Sequence, residues 1–246
     1  MGLQGTLTKE SLGFSMPSDG PLYPKPPYVY RGARMMIFQY VTDGASAARL
    51  LPEHAELADP PTAGLVFATY PESTLGPYSE VVLFLDAVYK QRSVKYGAYL
   101  YVTTDVAMAA GREMGGFPKK IAAIDIGGGP DFRATLERPA GLLLASGSMK
   151  VAERPDGPYS PTLDYLTLRV IPSPTKDAPP SLAELLETQW VVTNGEVWKG
   201  DGCCTLTGDS EADPLHKAPV VELLGCQLIR GDLRVSANDS PRSEPL

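Results

Sequence analysis

The sequence has few of the residues from which metal centres and charge-relay triads are built. It contains two histidines, His54 and His216, and three cysteines, Cys203, Cys204 and Cys226. Adjacent cysteines lack the spacing of zinc ligands, and two distant histidines argue against Ser-His-Asp or Cys-His catalysis. We therefore expect reduced thiols and no metal site.

Long apolar runs and an excess of positive charge are also missing. No run of about 18 apolar residues occurs, so we predict no membrane span. The N-terminal segment has no basic stretch followed by an apolar core, so we predict no signal peptide and a cytoplasmic location. The formal net charge is −7, and an acidic chain repels nucleic-acid phosphates and anionic lipid. We expect neither nucleic acid nor membrane as a partner.

Glycine and proline, 24 of each among 246 residues, are spread along the chain and indicate many turns. Short segments rich in aromatic and β-branched residues predict strands, at about 28–42, 64–70, 78–89, 93–103, 121–126, 132–137, 142–151, 164–171, 188–198, 203–207 and 223–235. Many short strands and few helices predict a mainly β fold, an antiparallel barrel or sandwich. We predict one domain over 1–246, with irregular tails at 1–16 and 237–246.

Three short helices are predicted from residues that cap helix N-termini. They cover 45–51, 106–114 and 181–187. The cap candidates are Thr42 or Asp43 for the first, Thr104 or Asp105 for the second and Ser181 for the third.

The sharpest local feature is the segment GREMGGFPKK, residues 111–120. The second predicted helix runs into two glycines and a proline, and then into Lys119 and Lys120. Two adjacent lysines are usually a solvated surface pair. Here small, aromatic and proline residues precede the pair and the apolar run IAAIDI follows it, which favours a rigid, desolvated turn.

Such a turn suits one kind of chemistry. An amine attacks a carbonyl carbon only when it is neutral, whereas a free lysine is almost wholly protonated at neutral pH. Burial and a neighbouring positive charge both disfavour the ammonium form. Two lysines on a dry turn would supply both effects, so this segment is a candidate for a Schiff-base nucleophile.

The sequence resembles the acetoacetate decarboxylase family, whose signature is a Gly-Arg-Glu segment leading to an aromatic-Pro-Lys-Lys turn. The segments YVTDGASAARLLPEHAEL at 40–57, LGPYSE at 75–80 and LDYLTLRVIPS at 163–173, followed by LAELLE at 182–187, are similar to other parts of that family. The resemblance covers roughly residues 17–235. It implies a mainly β (α+β) fold with a cone-like antiparallel β-barrel, a few flanking helices and a homo-oligomer.

The resemblance also implies roles for individual residues. Lys119 matches the family's Schiff-base lysine, Lys120 the lysine that keeps this amine uncharged, and Glu80 an active-site glutamate. Without the resemblance, Glu80 would be an ordinary surface carboxylate on a strand. Tyr78 and Phe117, which lie close to Glu80 and Lys119 in the sequence, are further candidates for substrate contact.

Two departures from the family pattern put the substrate in doubt. The family has a second glutamate, and the position that matches it here is Leu65. The family also uses an arginine near the first strand to bind or steer the substrate carboxylate. Arg31 and Arg34 flank the expected place, which Ala33 occupies without a gap, and Arg34 is the preferred candidate.

These assignments predict a carbon–carbon lyase that forms an iminium between Lys119 and a β-keto acid, acetoacetate-like or polyketide-derived. Such a small-molecule keto acid would lose carbon dioxide without a metal or organic cofactor, while Glu80 orients groups or moves a proton. Two alternatives remain open. One is an aldolase, dehydratase or other non-decarboxylating reaction of a keto acid or polyketide-like substrate. The other is a non-catalytic protein that binds a small ligand.

Overall fold

The computed structural model describes residues 2–128, 131–152, 157–207, 210–236 and 242–245. The α-helices are α1 (Gly44–Ala48) and α2 (Asp105–Gly115), and 3-10 helices cover Lys9–Ser11 and Leu215–Lys217. The strands are β1 (Tyr28–Val41), β2 (Glu56–Leu57), β3 (Thr62–Tyr70), β4 (Glu72–Ser73), β5 (Tyr78–Tyr89), β6 (Arg92–Val102), β7 (Lys119–Ile121), β8 (Ala123–Ile126), β9 (Asp131–Glu137), β10 (Leu143–Val151), β11 (Thr162–Ile171), β12 (Leu182–Leu206), β13 (Glu222–Ser236) and β14 (Arg242–Pro245). The predicted mainly β fold is confirmed.

Seven strands of one sheet close into a ring. Their order is β11, β6, β5, β3, β1, β13 and β12, and β12 pairs again with β11. The ring pairings are antiparallel except the short one between β6 and β11. Beyond β12 the sheet continues through β10, β9 and β8. This arrangement agrees with the cone-like antiparallel barrel that the sequence predicts.

The two faces of the ring strands build two hydrophobic clusters. Side chains alternate between faces along a strand, so Val82 and Phe84 of β5 pack in the interior cluster. Val81 and Leu83 of the same strand pack outside the ring, in the cluster that includes Leu136 of β9. The outer cluster fills the space under β8, β9 and β10, and the inner cluster surrounds the cavities described below.

The helix predicted at 181–187 is wrong, because this segment is the first part of β12. Alanine, leucine and glutamate favour a helix locally. However, every residue from Leu182 to Val191 has a partner on β11. Leu185 packs in the outer cluster, and Leu186 and Glu184 are also buried. A strand buried on both faces needs no alternating pattern, so the sequence resembles a helix there.

The predicted irregular tail at 237–246 also needs correction. Residues Arg242–Pro245 form β14, which pairs with β12 at Glu184–Glu187. The remaining positions of that tail, 237–241 and 246, lie outside the described residues. None of the helices in the described ranges is both long and apolar enough to cross a membrane.

Candidate active site

Helix α2 and the turn after it place Lys119 at one end of the ring. The Thr104 hydroxyl accepts a hydrogen bond from the Ala107 amide and caps the helix start. The helix ends at Gly116, whose φ of 63° lies in the left-handed region that favours glycine. A Cβ at Gly116 would also lie 2.9 Å from Arg169 Cβ. The glycines predicted to stop the helix therefore do so, and β7 starts at Lys119.

Gly111 makes room for the Lys119 side chain. A Cβ at Gly111 would lie 2.5 Å from Lys119 Cδ and 3.1 Å from its Nζ. The lysine therefore lies directly against the backbone of α2. The next residue, Arg112, donates a hydrogen bond from its guanidinium to the Lys119 carbonyl oxygen at 3.2 Å and so holds the turn against the helix. The packing role of Gly111 was not predicted from the sequence.

Lys119 and Glu80 form a buried pair. The Lys119 side chain is 3% exposed, Glu80 is fully buried, and Lys119 Nζ lies 2.8 Å from Glu80 Oε1. Glu80 reaches this place because β5 pairs with β6, which carries β7 on its other side. Buried ions are stable only when paired, so these two groups depend on each other. The predicted surface alternative for Glu80 does not apply.

Aromatic side chains surround the pair. Lys119 Nζ lies 5.7 Å from the centroid of the Tyr78 ring and 5.8 Å from that of Phe117. Further rings pack edge-on, tilted or nearly parallel around these two, so the wall is continuous; they belong to Tyr30, Tyr70, Tyr165 and Trp190. Both aromatic candidates from the sequence thus lie beside the amine.

The tyrosines of this wall stay protonated. Burial, followed by the nearby Glu80 charge and neighbouring phenols, raises the pKa of Tyr70 and Tyr78 well above the usual value. Burial likewise raises the pKa of Tyr30 and Tyr165. The wall therefore offers neutral hydroxyl groups across the working pH range, and it adds no charge to the Lys119–Glu80 pair.

Lys120 faces away from Lys119. Successive residues of β7 point to opposite sides of the sheet, and Lys120 Nζ lies 2.9 Å from Asp213 Oδ1. Its ammonium also donates a hydrogen bond to the Ala212 carbonyl oxygen. Asp213 is buried, so Lys120 has a close partner of opposite charge on the outer side of the sheet. The effect of Lys120 on Lys119 stays a prediction.

Asp213 contacts three side chains on the outer side of the sheet, of which Lys120 is one. Its carboxylate also lies 2.7 Å from Arg138 Nη1 and accepts a hydrogen bond from the Tyr101 hydroxyl at 3.2 Å. Burial alone would raise the pKa of Asp213, but hydrogen bonds from Lys120 and Arg138 outweigh it and lower that pKa. The ionised carboxylate is thus the form that stabilises the fold.

Replacing Asp213 with asparagine is expected to lower the free energy of unfolding by about 2–3 kcal/mol. A broken buried pair costs about 3–5 kcal/mol, and the partial exposure of both cationic partners reduces that cost. Because folding lowers the pKa of Asp213, the full loss of stability should be seen above about pH 4, the pKa of aspartate in the unfolded chain. The loss should shrink as the pH falls further. Urea unfolding from pH 3 to 7 measures the free energy of unfolding, with Asp201→Asn at an exposed position as control. An equal loss at every pH contradicts this account.

The two arginine candidates lie elsewhere. Arg31 is exposed, and its Nε lies 3.5 Å from Glu72 Oε1. Arg34 is exposed and lines a cavity of about 120 Å³ with Phe67 and Gly128 on the outer side of the ring. Neither arginine is brought to Lys119 within this chain. Strand alternation explains why the Arg34 side chain lies outside the ring, because its neighbours Ala33 and Met35 point inward.

Two adjoining cavities lie inside the ring next to Lys119. The inner cavity, of about 30 Å³, is lined by Lys119, Gly111 and Thr188 among others. The main cavity, of about 200 Å³, takes side chains from all seven ring strands, including Met35, Val66, Val82, Leu100, Tyr165, Trp190 and Ile229. Phe117 and Trp190 line both cavities and are the boundary between them.

Sequence reasoning missed two polar groups on the wall of the inner cavity. Thr188 and Trp190 both face inward from β12 and are 5% and 7% exposed. Within the described ranges, Thr188 Oγ1 and Trp190 Nε1 have no hydrogen-bond partner. A buried donor without a partner is costly, and binding sites are where such groups are retained. Both residues lie in the segment 188–198, which was predicted as a strand, but the sequence alone does not show which face of that strand points into the ring.

Comparison with known proteins places this arrangement in a family. The family model described as acetoacetate decarboxylase matches residues 15–243. The chain belongs to the acetoacetate decarboxylase family. Decarboxylase DEC1 of Cochliobolus heterostrophus is 28% identical over 94% of this chain and 95% of its own length. Acetoacetate decarboxylase 2 of Mesorhizobium japonicum is 29% identical over 97% of this chain and 94% of its own.

Solved structures of the acetoacetate decarboxylase fold superpose along nearly the whole chain. A structure of acetoacetate decarboxylase gives a TM-score of 0.83 at 22% identity, over 98% of both chains. The enduracididine biosynthesis enzyme MppR, solved with the condensation product of pyruvate and imidazole 4-carboxaldehyde, gives 0.79 at 21% identity over 98% of both. At these identities the likeness establishes the fold, and one fold thus carries more than one reaction.

Proposed function

We propose that this protein decarboxylates a β-keto acid through an imine formed on Lys119. The observation that carries the proposal is the buried amine 2.8 Å from a buried carboxylate, on the wall of the inner cavity that adjoins the apolar main cavity. An amine in water would be protonated and hydrated. Here Glu80 can take the proton from the Lys119 ammonium, which leaves a neutral nucleophile and a neutral acid. Membership of the acetoacetate decarboxylase family supports the same reaction.

The proposed steps use one amine and one proton carrier. Neutral Lys119 adds to the keto carbon, and the protonated Glu80 gives its proton to the departing hydroxyl, so that water leaves and an iminium forms. The bond to the carboxyl carbon then breaks; carbon dioxide leaves, and the electron pair moves into the enamine. A proton adds to the enamine carbon, water hydrolyses the new iminium, and a ketone and free Lys119 result.

The surroundings of the pair favour loss of the carboxylate. In the described part of the chain, no arginine lines either interior cavity. The Thr188 hydroxyl and the Trp190 indole N–H can orient a carboxylate without neutralising its charge. Since carbon dioxide is neutral, a site that excludes water and offers no cation to the carboxylate promotes its departure. The donors on the cavity wall can thus hold the carboxylate without opposing its loss.

Borohydride trapping with carbon dioxide measurement tests the proposal. Incubation with a β-keto acid followed by borohydride should add the reduced substrate carbons to the peptide that contains residues 111–120. Carbon dioxide should appear only from acids with a keto group at the β position. Trapping without carbon dioxide from any acid would favour condensation or dehydration, the chemistry suggested by the MppR complex. Carbon dioxide release with no adduct on Lys119 would overturn the imine scheme.

Replacing Trp190 with phenylalanine is expected to raise KM for the β-keto acid about tenfold. The change keeps an aromatic wall and removes one donor to a charged group, a contact with a net contribution of about 1.5–3 kcal/mol. Thr188→Val, which keeps the shape of the side chain, should act in the same direction, and Thr188→Ser should restore the wild-type value. Steady-state kinetics checks this, with Trp198→Phe as control. A wild-type KM in both donor variants would contradict the assignment.

A further inference from the structure

The ring interior extends far beyond Lys119. Glu80, Val82, Phe84 and Asp86 alternate along β5 on the face that points into the ring. The step from Glu80 to Asp86 is six residues, or roughly 20 Å at about 3.4 Å per residue. A four-carbon keto acid attached to Lys119 would occupy only the first part of this length.

The main cavity between those ends is apolar. Apart from tyrosine hydroxyls and the Trp190 indole N–H, the polar side chains on its described wall are Gln39, Lys95 and Gln227. Gln39 and Lys95 both contact Asp86, at the end of the ring far from Glu80. An apolar cavity of about 150 Å³ holds a benzene molecule. The main cavity, of about 200 Å³, therefore has room for a chain or ring of six or more carbon atoms.

A third cavity continues the row to the surface. The outer groove, of about 310 Å³, is lined by Ala58, Thr162 and Asp164, and it shares Lys95 and Leu163 with the main cavity. Lys95 is held in place: its Nζ lies 2.9 Å from Asp86 Oδ1 and 4.1 Å from the centroid of the Phe84 ring. The outer groove, the main cavity and the inner cavity thus follow one another in a row. Two shared side chains separate each cavity from the next.

We propose that this row binds the tail of the substrate, and that the physiological substrate is a 3-oxo acid with an apolar chain or ring of at least six carbon atoms beyond the keto group. The keto acid end reacts at Lys119, the tail passes Phe117 and Trp190, and its body fills the main cavity. This inference rests on the proposed function and adds the substrate class. Burial of the tail supplies binding energy that a four-carbon substrate cannot supply.

A series of straight-chain 3-oxo acids with the wild-type enzyme tests the proposal. Each methylene that enters the main cavity should raise kcat/KM about fourfold, up to a chain of about ten carbons. Acetoacetate should be the poorest member. If acetoacetate is decarboxylated and trapped on Lys119 as efficiently as the longer acids, the tail site is wrong and the proposed reaction stands. If no member of the series is trapped, the proposed reaction itself fails.

Filling the main cavity provides a second test. Ile37, on β1, lines the main cavity and does not line the inner one. Ile37→Trp should lower the ratio of kcat/KM for 3-oxodecanoate to that for acetoacetate at least tenfold. Leu224→Trp adds the same ring at an exposed position and is the matched control. An equal ratio in Ile37→Trp and wild type would overturn the tail site; if this variant does not fold, the wild-type series decides alone.

Discussion

Lys119→Met is expected to abolish borohydride trapping and to lower kcat by on the order of 10⁴-fold, as the loss of other covalent nucleophiles does. Methionine fills a similar volume without an amine. It removes the partner 2.8 Å from Glu80, and we expect the fold to persist because the methionine side chain fills the space of the lysine. Carbon dioxide release, trapping followed by peptide mass, and circular dichroism measure these three outcomes.

Lys120→Met is the matched comparison, because it removes the adjacent lysine in the same way. Its ammonium pairs with Asp213 and faces away from Lys119. We therefore expect Lys120→Met to keep the adduct on Lys119 and to lower the melting temperature. Loss of trapping in Lys120→Met with an intact fold would restore the electrostatic role predicted from the sequence. Full turnover in Lys119→Met would instead show that the reaction needs no imine on Lys119.

The two lysines show which parts of the site can be predicted from the sequence. The turn before Lys119 is a local structure, and its glycines and proline carry enough information to predict it. The family resemblance added Glu80, whose partner lies far away in the sequence. Adjacency in the sequence does not show where the Lys120 ammonium lies, because residues that follow one another on a strand point to opposite faces. Asp213, which contacts Lys120, carries no local signal of that contact.

The strands of the ring were largely predictable, and the exception has a physical cause. β1, β3 and β5 alternate or are rich in β-branched and aromatic residues, so their pattern indicates strands. The start of β12 is buried on both faces and contains good helix formers, so its pattern favours the wrong element. Thr188 and Trp190 lie beyond the wrong helix, in the segment 188–198 that was predicted as a strand, and what the sequence did not show is that their face points into the ring.

Gly111→Ala is expected to lower kcat/KM about 100-fold without loss of stability. The added Cβ would lie 2.5 Å from Lys119 Cδ and 2.6 Å from Cε, so the side chain has to move. A shift of about 1 Å in a reacting group costs about 10²-fold in rate. Alanine is also the better helix former by about 1 kcal/mol. We therefore expect the flexible Lys119 side chain to move, and the helix backbone to stay in place.

The measurements are the rate of borohydride trapping, kcat/KM and the melting temperature. Gly225→Ala is the matched control, because a Cβ at Gly225 meets open space. A slower trapping rate at an unchanged melting temperature identifies Gly111 as a positioning residue for Lys119 Nζ. A wild-type trapping rate in Gly111→Ala would contradict the packing of Lys119 against α2. A lost fold would contradict the view that the lysine, rather than the helix, moves to accept the methyl group.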